Sequence, residues 1–222
     1  MDIKLHFIEK GEGFPLILLH GNGEDHTYFV HQIEYFSKSR RVIAIDTRGH
    51  GLSPRGAASF TIKQFAEDLL SFMDERKIEK ADVLGFSDGG NIALTFAMKY
   101  GNRINKLILN GANLFPKGVK LSVQLPVILG YYAAKLLGGK KNAELLRLMV
   151  KEPNFVPSEL SVLNLPTLVI AGTRDMIKTS HTKLIARAIP NSSLCIIDGD
   201  HFIANKNPTP FNDAVNKFLS DK

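Results

Sequence analysis

The chain has 222 residues, 44% of them apolar and 23% charged, with a formal charge of +6. That balance fits one globular domain with a sizeable core and excludes a disordered or fibrous chain. The opening MDIKLHFIEK lacks the layout of a secretory leader, and no segment offers about 18 uninterrupted apolar residues, so a cytoplasmic protein is expected.

Short apolar runs alternate with segments of helical periodicity. PLILLHG (15 to 21) reads as a strand and is followed by a helical segment at 25 to 38. RVIAID (41 to 46) reads as the next strand, followed by a helix over 61 to 77. In that helix Ile62, Phe65, Ala66, Leu69, Leu70 and Met73 share one face, and Thr61 stands where a cap belongs. ADVLGF (81 to 86) leads into a helix at 89 to 100, and KLILNG (106 to 111) into a long insert. PTLVIAG (166 to 172) precedes a helix at 180 to 189, and SLCIIDG (193 to 199) one at 209 to 219. The runs show little polar alternation, as expected of strands covered on both faces. The expected class is α/β: a mostly parallel twisted sheet with helices on both faces and its site at the carboxyl ends of the strands. Cys195, the one cysteine, reads as a small core residue on a strand.

Residues 113 to 163 break the rhythm, with four prolines and the apolar piece VQLPVILGYYAAKLLGG. This insert reads as a small helical lid over the sheet's carboxyl edge within a single domain of residues 1 to 222; the plainer alternative is an extra core helix. As a lid, it offers Leu125, Val127, Ile128, Leu129, Tyr131 and Tyr132 to the apolar part of a substrate. Between Leu114 and Leu163, seven basic residues face three acidic ones, so +4 of the net +6 lies here. A solvated face explains that plainly, and an anionic ligand or membrane surface more specifically. No basic run is interleaved with aromatics, so no nucleic-acid partner is expected.

The stretch GFSDGG (85 to 90) carries the chemistry. Ser87 falls in a one-residue turn between a strand and a helix, flanked by Gly85 and Gly89, which presents its hydroxyl at the top of the sheet beside a helix N-terminus. A serine hydroxyl needs a base, and the base an acid to orient it. Among seven histidines, His201 in DGDHFI follows the last strand at the right edge. His20 and His50 belong to loops, His20 as a loop-shaping residue, and His6, His26, His31 and His181 read as solvated. For the acid, Asp175 in GTRDMI lies 26 residues before His201, room for one helix and one strand. Asp198 and Asp200 are too near His201 in sequence for an easy reach, and after KLILNG only Asn110 and Asn113 are available.

The order Ser87, Asp175, His201, with LLHGNGED, DTRGHGLS, GFSDGG and the pair AGTRD and GDHF, resembles the α/β-hydrolase superfamily across almost the whole chain. The elbow is similar to that of biphenyl-hydrolase-like proteins, and the lid is short for the superfamily. The resemblance implies an oxyanion hole from the backbone N–H groups of Asn22 and Asp88, and no cofactor or metal. It also opens a role for the Asp88 carboxylate toward a cationic substrate group, such as the amine of an amino-acid ester; the alternative is that it favours a helix N-terminus. The expected activity is hydrolysis of small to medium carboxylic esters through an acyl-enzyme. Thioesterase, amino-acyl ester hydrolase or peptidase chemistry on the same residues stays open, as does a binding protein without turnover. No P-loop or paired-cysteine motif supports a phosphate or metal site. Expected partners are a small-molecule ester and, in one option, a second copy of the chain, with no stable membrane insertion.

Overall fold

A computed structural model describes residues 2 to 221. The strands are β1 (Phe7–Lys10), β2 (Pro15–Leu19), β3 (Arg41–Ile45), β4 (Ala81–Phe86), β5 (Ile104–Asn110), β6 (Thr167–Gly172) and β7 (Ser192–Ile197). They form one sheet in the order β1-β3-β2-β4-β5-β6-β7, with β1 antiparallel to β3 and every other pairing parallel. The helices are α1 (Val30–Phe36), α2 (Ile62–Glu75), α3 (Asp88–Tyr100), α4 (Leu121–Leu136), α5 (Lys140–Lys151), α6 (Thr179–Ala188), α7 (Ile203–Lys206) and α8 (Pro208–Ser220).

Side chains alternate across a strand, so each central strand feeds two cores. Ile17, Leu19, Ile43, Val83 and Leu109 pack on one face with Phe65 and Leu69 of α2 and Ile92 and Phe96 of α3. Leu16, Leu18, Val42, Leu84 and Ile108 pack on the other with Ile33 and Phe36 of α1 and Phe211 and Val215 of α8. This double burial is why these strands read as continuous apolar runs. Thr61 caps α2, its hydroxyl oxygen accepting from the Gln64 N–H at 3.1 Å.

Four features depart from the expected elements. α7 is an additional short helix before α8, and β7, an edge strand, leaves Leu194 and Ile196 exposed and Cys195 half-buried rather than in the core. β1 is an additional edge strand whose sequence, FIEK, is mostly exposed and carries no apolar run. The segment at 25 to 38 begins as a 3₁₀ turn (His26–Phe29), because Asp25 caps it through the Thr27 N–H, and only then becomes α1. Between β5 and β6 the chain forms α4 and α5, which pack against each other. The parallel register brings the carboxyl ends of β2, β4, β5, β6 and β7 to one edge, where His20, Ser87, Gly111, Asp175 and His201 follow them.

Candidate active site

Ser87 joins β4 to α3 with φ 53° and ψ −119°, a conformation that costs a residue with a Cβ about 1–3 kcal/mol and persists only where the surroundings fix it. They do: the Ser87 N–H donates to Asn110 O at 2.8 Å, and Ser87 O accepts from the Asn91 N–H at 3.1 Å. Close passage of the chain requires the flanking glycines. A Cβ on Gly85 would run into the backbone of Gly89, and one on Gly89 into the carbonyl oxygen of Leu19.

The Ser87 Oγ lies 3.0 Å from His201 Nε2. His201 Nδ1 lies 2.6 Å from Asp175 Oδ1, which also accepts from the Ile177 N–H at 2.8 Å. A carboxylate accepts, so Nδ1 carries the imidazole hydrogen and Nε2 is left to accept from the serine. The three side chains assigned from the sequence are thus brought together, with His201 and Asp175 buried.

The rival groups are engaged elsewhere. Asp198 accepts from Thr173 and Arg174, and Asp200 from the Phe202 N–H and Lys206. Asn110, an uncharged amide, is fully buried with no side-chain hydrogen-bond partner among the described residues, and only its backbone oxygen meets Ser87. His20 donates from Nδ1 to Gly21 O at 2.7 Å and accepts at Nε2 from the Thr47 N–H at 3.0 Å, holding two loops together. Burial pushes its pKa down to about 4, so it is neutral near pH 7. His50 donates to Arg48 O, and burial lowers it as well.

Of the four histidines expected to be solvated, His31 is exposed, His6 and His26 are half-buried, and His181 is buried. His181 is buried against Phe115, and its Nε2 accepts from the Leu114 N–H at 2.9 Å. The helix that carries it turns it inward, under the chain leaving β5. His6 and His26 each place Nδ1 2.8 Å from an oxygen of Asp46, which is fully buried. Among the described residues these three form the one cluster with the composition of a metal site, their ligand atoms within 4.8 Å. Asp46 also accepts the N–H groups of His26 and Leu52, so the cluster is built as a hydrogen-bonded staple between loops. Its members come from three distant parts of the sequence, and no local motif announces it.

Asn22 and Asp88 meet through side chains. The Asn22 amide donates to Asp88 Oδ2 at 2.9 Å and to Leu145 O at 2.8 Å, while Asp88 Oδ1 accepts from the Asn91 amide at 3.1 Å. Asn91 in turn exchanges hydrogen bonds with Asn113. Burial raises the Asp88 pKa to about 6 despite these amide donors. The backbone N–H of Asp88 opens α3 and has no intrahelical acceptor.

A cavity of about 20 Å³ lies over Ser87 and Asp88, closed by Val119, Gln124, Val127, Met149, Met176 and Ile177. That is room for about one water. α4 contributes Gln124 and Val127 to it, whereas Leu125, Ile128, Tyr131 and Tyr132 are not in its lining, and Leu125 and Tyr132 are exposed. α4 is apolar on both sides, so its pattern alone did not select the inward face.

A family model described as the alpha/beta hydrolase fold matches residues 15–165. A 2-hydroxymuconate semialdehyde hydrolase from a Pseudomonas species is 36% identical over 114 residues, 50% of this chain but only 40% of that protein's length. The serine hydrolase BPHL from Mus musculus is 28% identical over 242 residues, covering 98% of this chain and 83% of that protein. Among solved structures, an enol-lactonase from Burkholderia xenovorans superposes with a TM-score of 0.82 at 22% identity, covering 99% of this chain and 97% of that one. An esterase from Thermogutta terrifontis gives 0.82 at 25% identity, covering 98% and 93%. With the sheet order, the turn at Ser87 and the extent of the family match in agreement, the chain belongs to the alpha/beta hydrolase fold family.

Proposed function

We propose that the chain is a serine hydrolase that cleaves carboxylic esters of small to medium, largely apolar substrates through an acyl-enzyme. The observation that carries this reading is the hydrogen-bond relay from Ser87 through His201 to Asp175, at 3.0 Å and 2.6 Å, on a serine held at positive φ. In this reading Ser87 Oγ attacks the ester carbonyl as His201 Nε2 takes its proton. Asp175 holds the imidazole and stabilises its charged form. The N–H groups of Asn22 and Asp88 receive the negative charge that develops on the carbonyl oxygen. His201 then returns the proton to the departing alcohol, and a water activated by the same base releases the acid.

The Asp88 carboxylate serves here as a tie between the loop after β2 and α3, because both of its oxygens already accept from amides. The cavity of about 20 Å³ over Ser87 holds a water but no acyl chain, so the side chains that line it, Gln124 and Val127 of α4 and Met149 of α5 among them, give way when an acyl chain binds there. Names among the relatives, including the serine hydrolase and the 2-hydroxymuconate semialdehyde hydrolase, favour hydrolysis at this site.

The test is kcat/KM for a series of p-nitrophenyl esters of rising acyl length, with Ser87→Ala alongside. The reading predicts turnover of the shorter esters and a loss of roughly 10⁴-fold or more in the variant. Equal turnover by the variant would exclude Ser87 as the nucleophile.

A further inference from the structure

The outer face of α4 is covered by nothing among the described residues. Leu121 (68%), Leu125 (52%), Leu129 (63%), Tyr132 (55%) and Leu136 (86%) are exposed. At roughly 100° per residue these five positions fall within an arc of about 80°, one continuous stripe along a helix of about 24 Å. Leu137, just past the helix end, is exposed too. A contiguous apolar stripe of this kind marks a contact surface.

Cations flank the stripe at both ends. Lys117 and Lys120 precede Leu121 in the chain, Lys135 adjoins Leu136, and Lys140 and Lys141 follow at the start of α5, where they line a cavity with Arg55 and Glu144. The lysine ion pairs among the described residues are Lys10–Glu34, Lys99–Glu67 and Lys206–Asp200, so none of these five is in a direct ion pair, and only Lys140 acts at longer range on a carboxylate of the insert, Glu144. The insert's glutamates are engaged: Glu144 with Arg55, Glu152 with Arg147, and Glu159 with the Val156 N–H.

From the exposed stripe and its cationic ends, we infer that α4 docks the protein onto an anionic lipid surface. An apolar helical face between lysines is the arrangement that lies in the plane of a membrane interface, its leucines entering the acyl boundary and its lysines meeting the headgroups. Charge argues against a second copy as the occupant, because a two-fold contact through this face sets the lysine clusters of one protomer against those of the other. No described helix is long and apolar enough to cross a membrane, so the docking is peripheral.

The opposite face of the same helix closes the cavity over Ser87 through Gln124 and Val127. Docking therefore bears on access to Ser87 and points to amphiphilic esters drawn from a lipid surface. That consequence rests on the hydrolase reading; docking itself does not.

The experiment is flotation of Ser87→Ala protein with vesicles of phosphatidylcholine alone or containing phosphatidylserine, so that the result needs no turnover. The expected result is co-flotation with the phosphatidylserine vesicles, weakened by salt. Lys135→Glu/Lys140→Glu and Leu129→Ser/Leu136→Ser should each reduce it about tenfold, with unchanged melting temperatures because all four side chains are exposed. Three results would each overturn the inference: absence of flotation, equal flotation on both vesicle types, or flotation unchanged by both double variants. Light scattering that shows a dimer lost in Leu129→Ser/Leu136→Ser would also overturn it, by assigning the stripe to a second copy.

Discussion

Asp175 meets His201 through one oxygen only: Oδ1 lies 2.6 Å from His201 Nδ1, while Oδ2 is buried without a hydrogen-bond partner among the described residues. The carboxylate therefore acts on the imidazole through a single contact. Asp175→Asn leaves an oxygen for the Ile177 N–H but presents an amide to the ring, favouring the tautomer with its hydrogen on Nε2. The expected outcome is a fall in kcat of about 10⁴-fold with the fold retained, read from ester kinetics and circular dichroism. A change of less than tenfold would remove Asp175 from the account.

Gly111 backs the same imidazole. It has φ +62°, and a Cβ there would stand 2.7 Å from His201 Cε1 and 2.9 Å from Nδ1. Gly111→Ala should push the ring from Ser87 and lower kcat about 10²-fold, since a displacement near 1 Å is enough. The strained φ should also lower the melting temperature. Wild-type kinetics in this variant would mean that the imidazole does not need its present position.

Arg48, in the stretch DTRGHGLS, is fully buried and forks onto Asp68 at 2.7 Å through both Nε and Nη2, with Asp2 as a further partner. Removing the cation alone strands a buried carboxylate. Arg48→Met should cost about 3–5 kcal/mol, seen as a midpoint shift in urea unfolding. Arg48→Met/Asp68→Leu should recover most of that loss. If the single and double variants are equally unstable, loss of packing rather than the uncompensated charge governs the effect.

Acid should weaken the fold through its buried histidines. Burial holds His20 and His181 at about 4, below the ordinary 6.5, with Lys178 adding to the shift at His181. Between those values the unfolded chain binds more protons than the folded one, so stability present above pH 6.5 is lost as pH falls toward 4. Asp88 and Glu24, raised by burial to about 6 and about 7, act with the opposite sign, so the comparison must be made residue by residue. His181→Gln retains an acceptor for the Leu114 N–H yet does not titrate. Its stability should fall by about 2–3 kcal/mol less than the wild type's between pH 7 and pH 4. Parallel stability curves would show that His181 is not held neutral by the fold.

The sequence carried the central sheet because both faces of β2 to β6 are buried, which writes long apolar runs. It did not carry β1: FIEK sits at an edge, pairs through its backbone, and has one half-buried residue at its start. Ser87, Asp175 and His201 were legible because each follows a strand at the edge where parallel register gathers them. The links among Asn22, Asp88, Asn91 and Asn113 were not, since side-chain amides leave no periodic trace. α4 was legible as apolar but not in its orientation: the side chains that reach the cavity are Gln124 and Val127, while the leucines expected to bind substrate include exposed Leu125. His181 shows a related limit, because a polar residue on a short helix reads as solvated until the chain that covers it is placed.

The most direct test of the central claim is intact-mass analysis and peptide mapping after treatment with a fluorophosphonate, with Ser87→Ala and His201→Ala as controls. The account predicts one adduct per chain, on Ser87, absent from both variants. An adduct elsewhere, or one on Ser87 that survives His201→Ala at the same rate, would contradict an activated serine in this site.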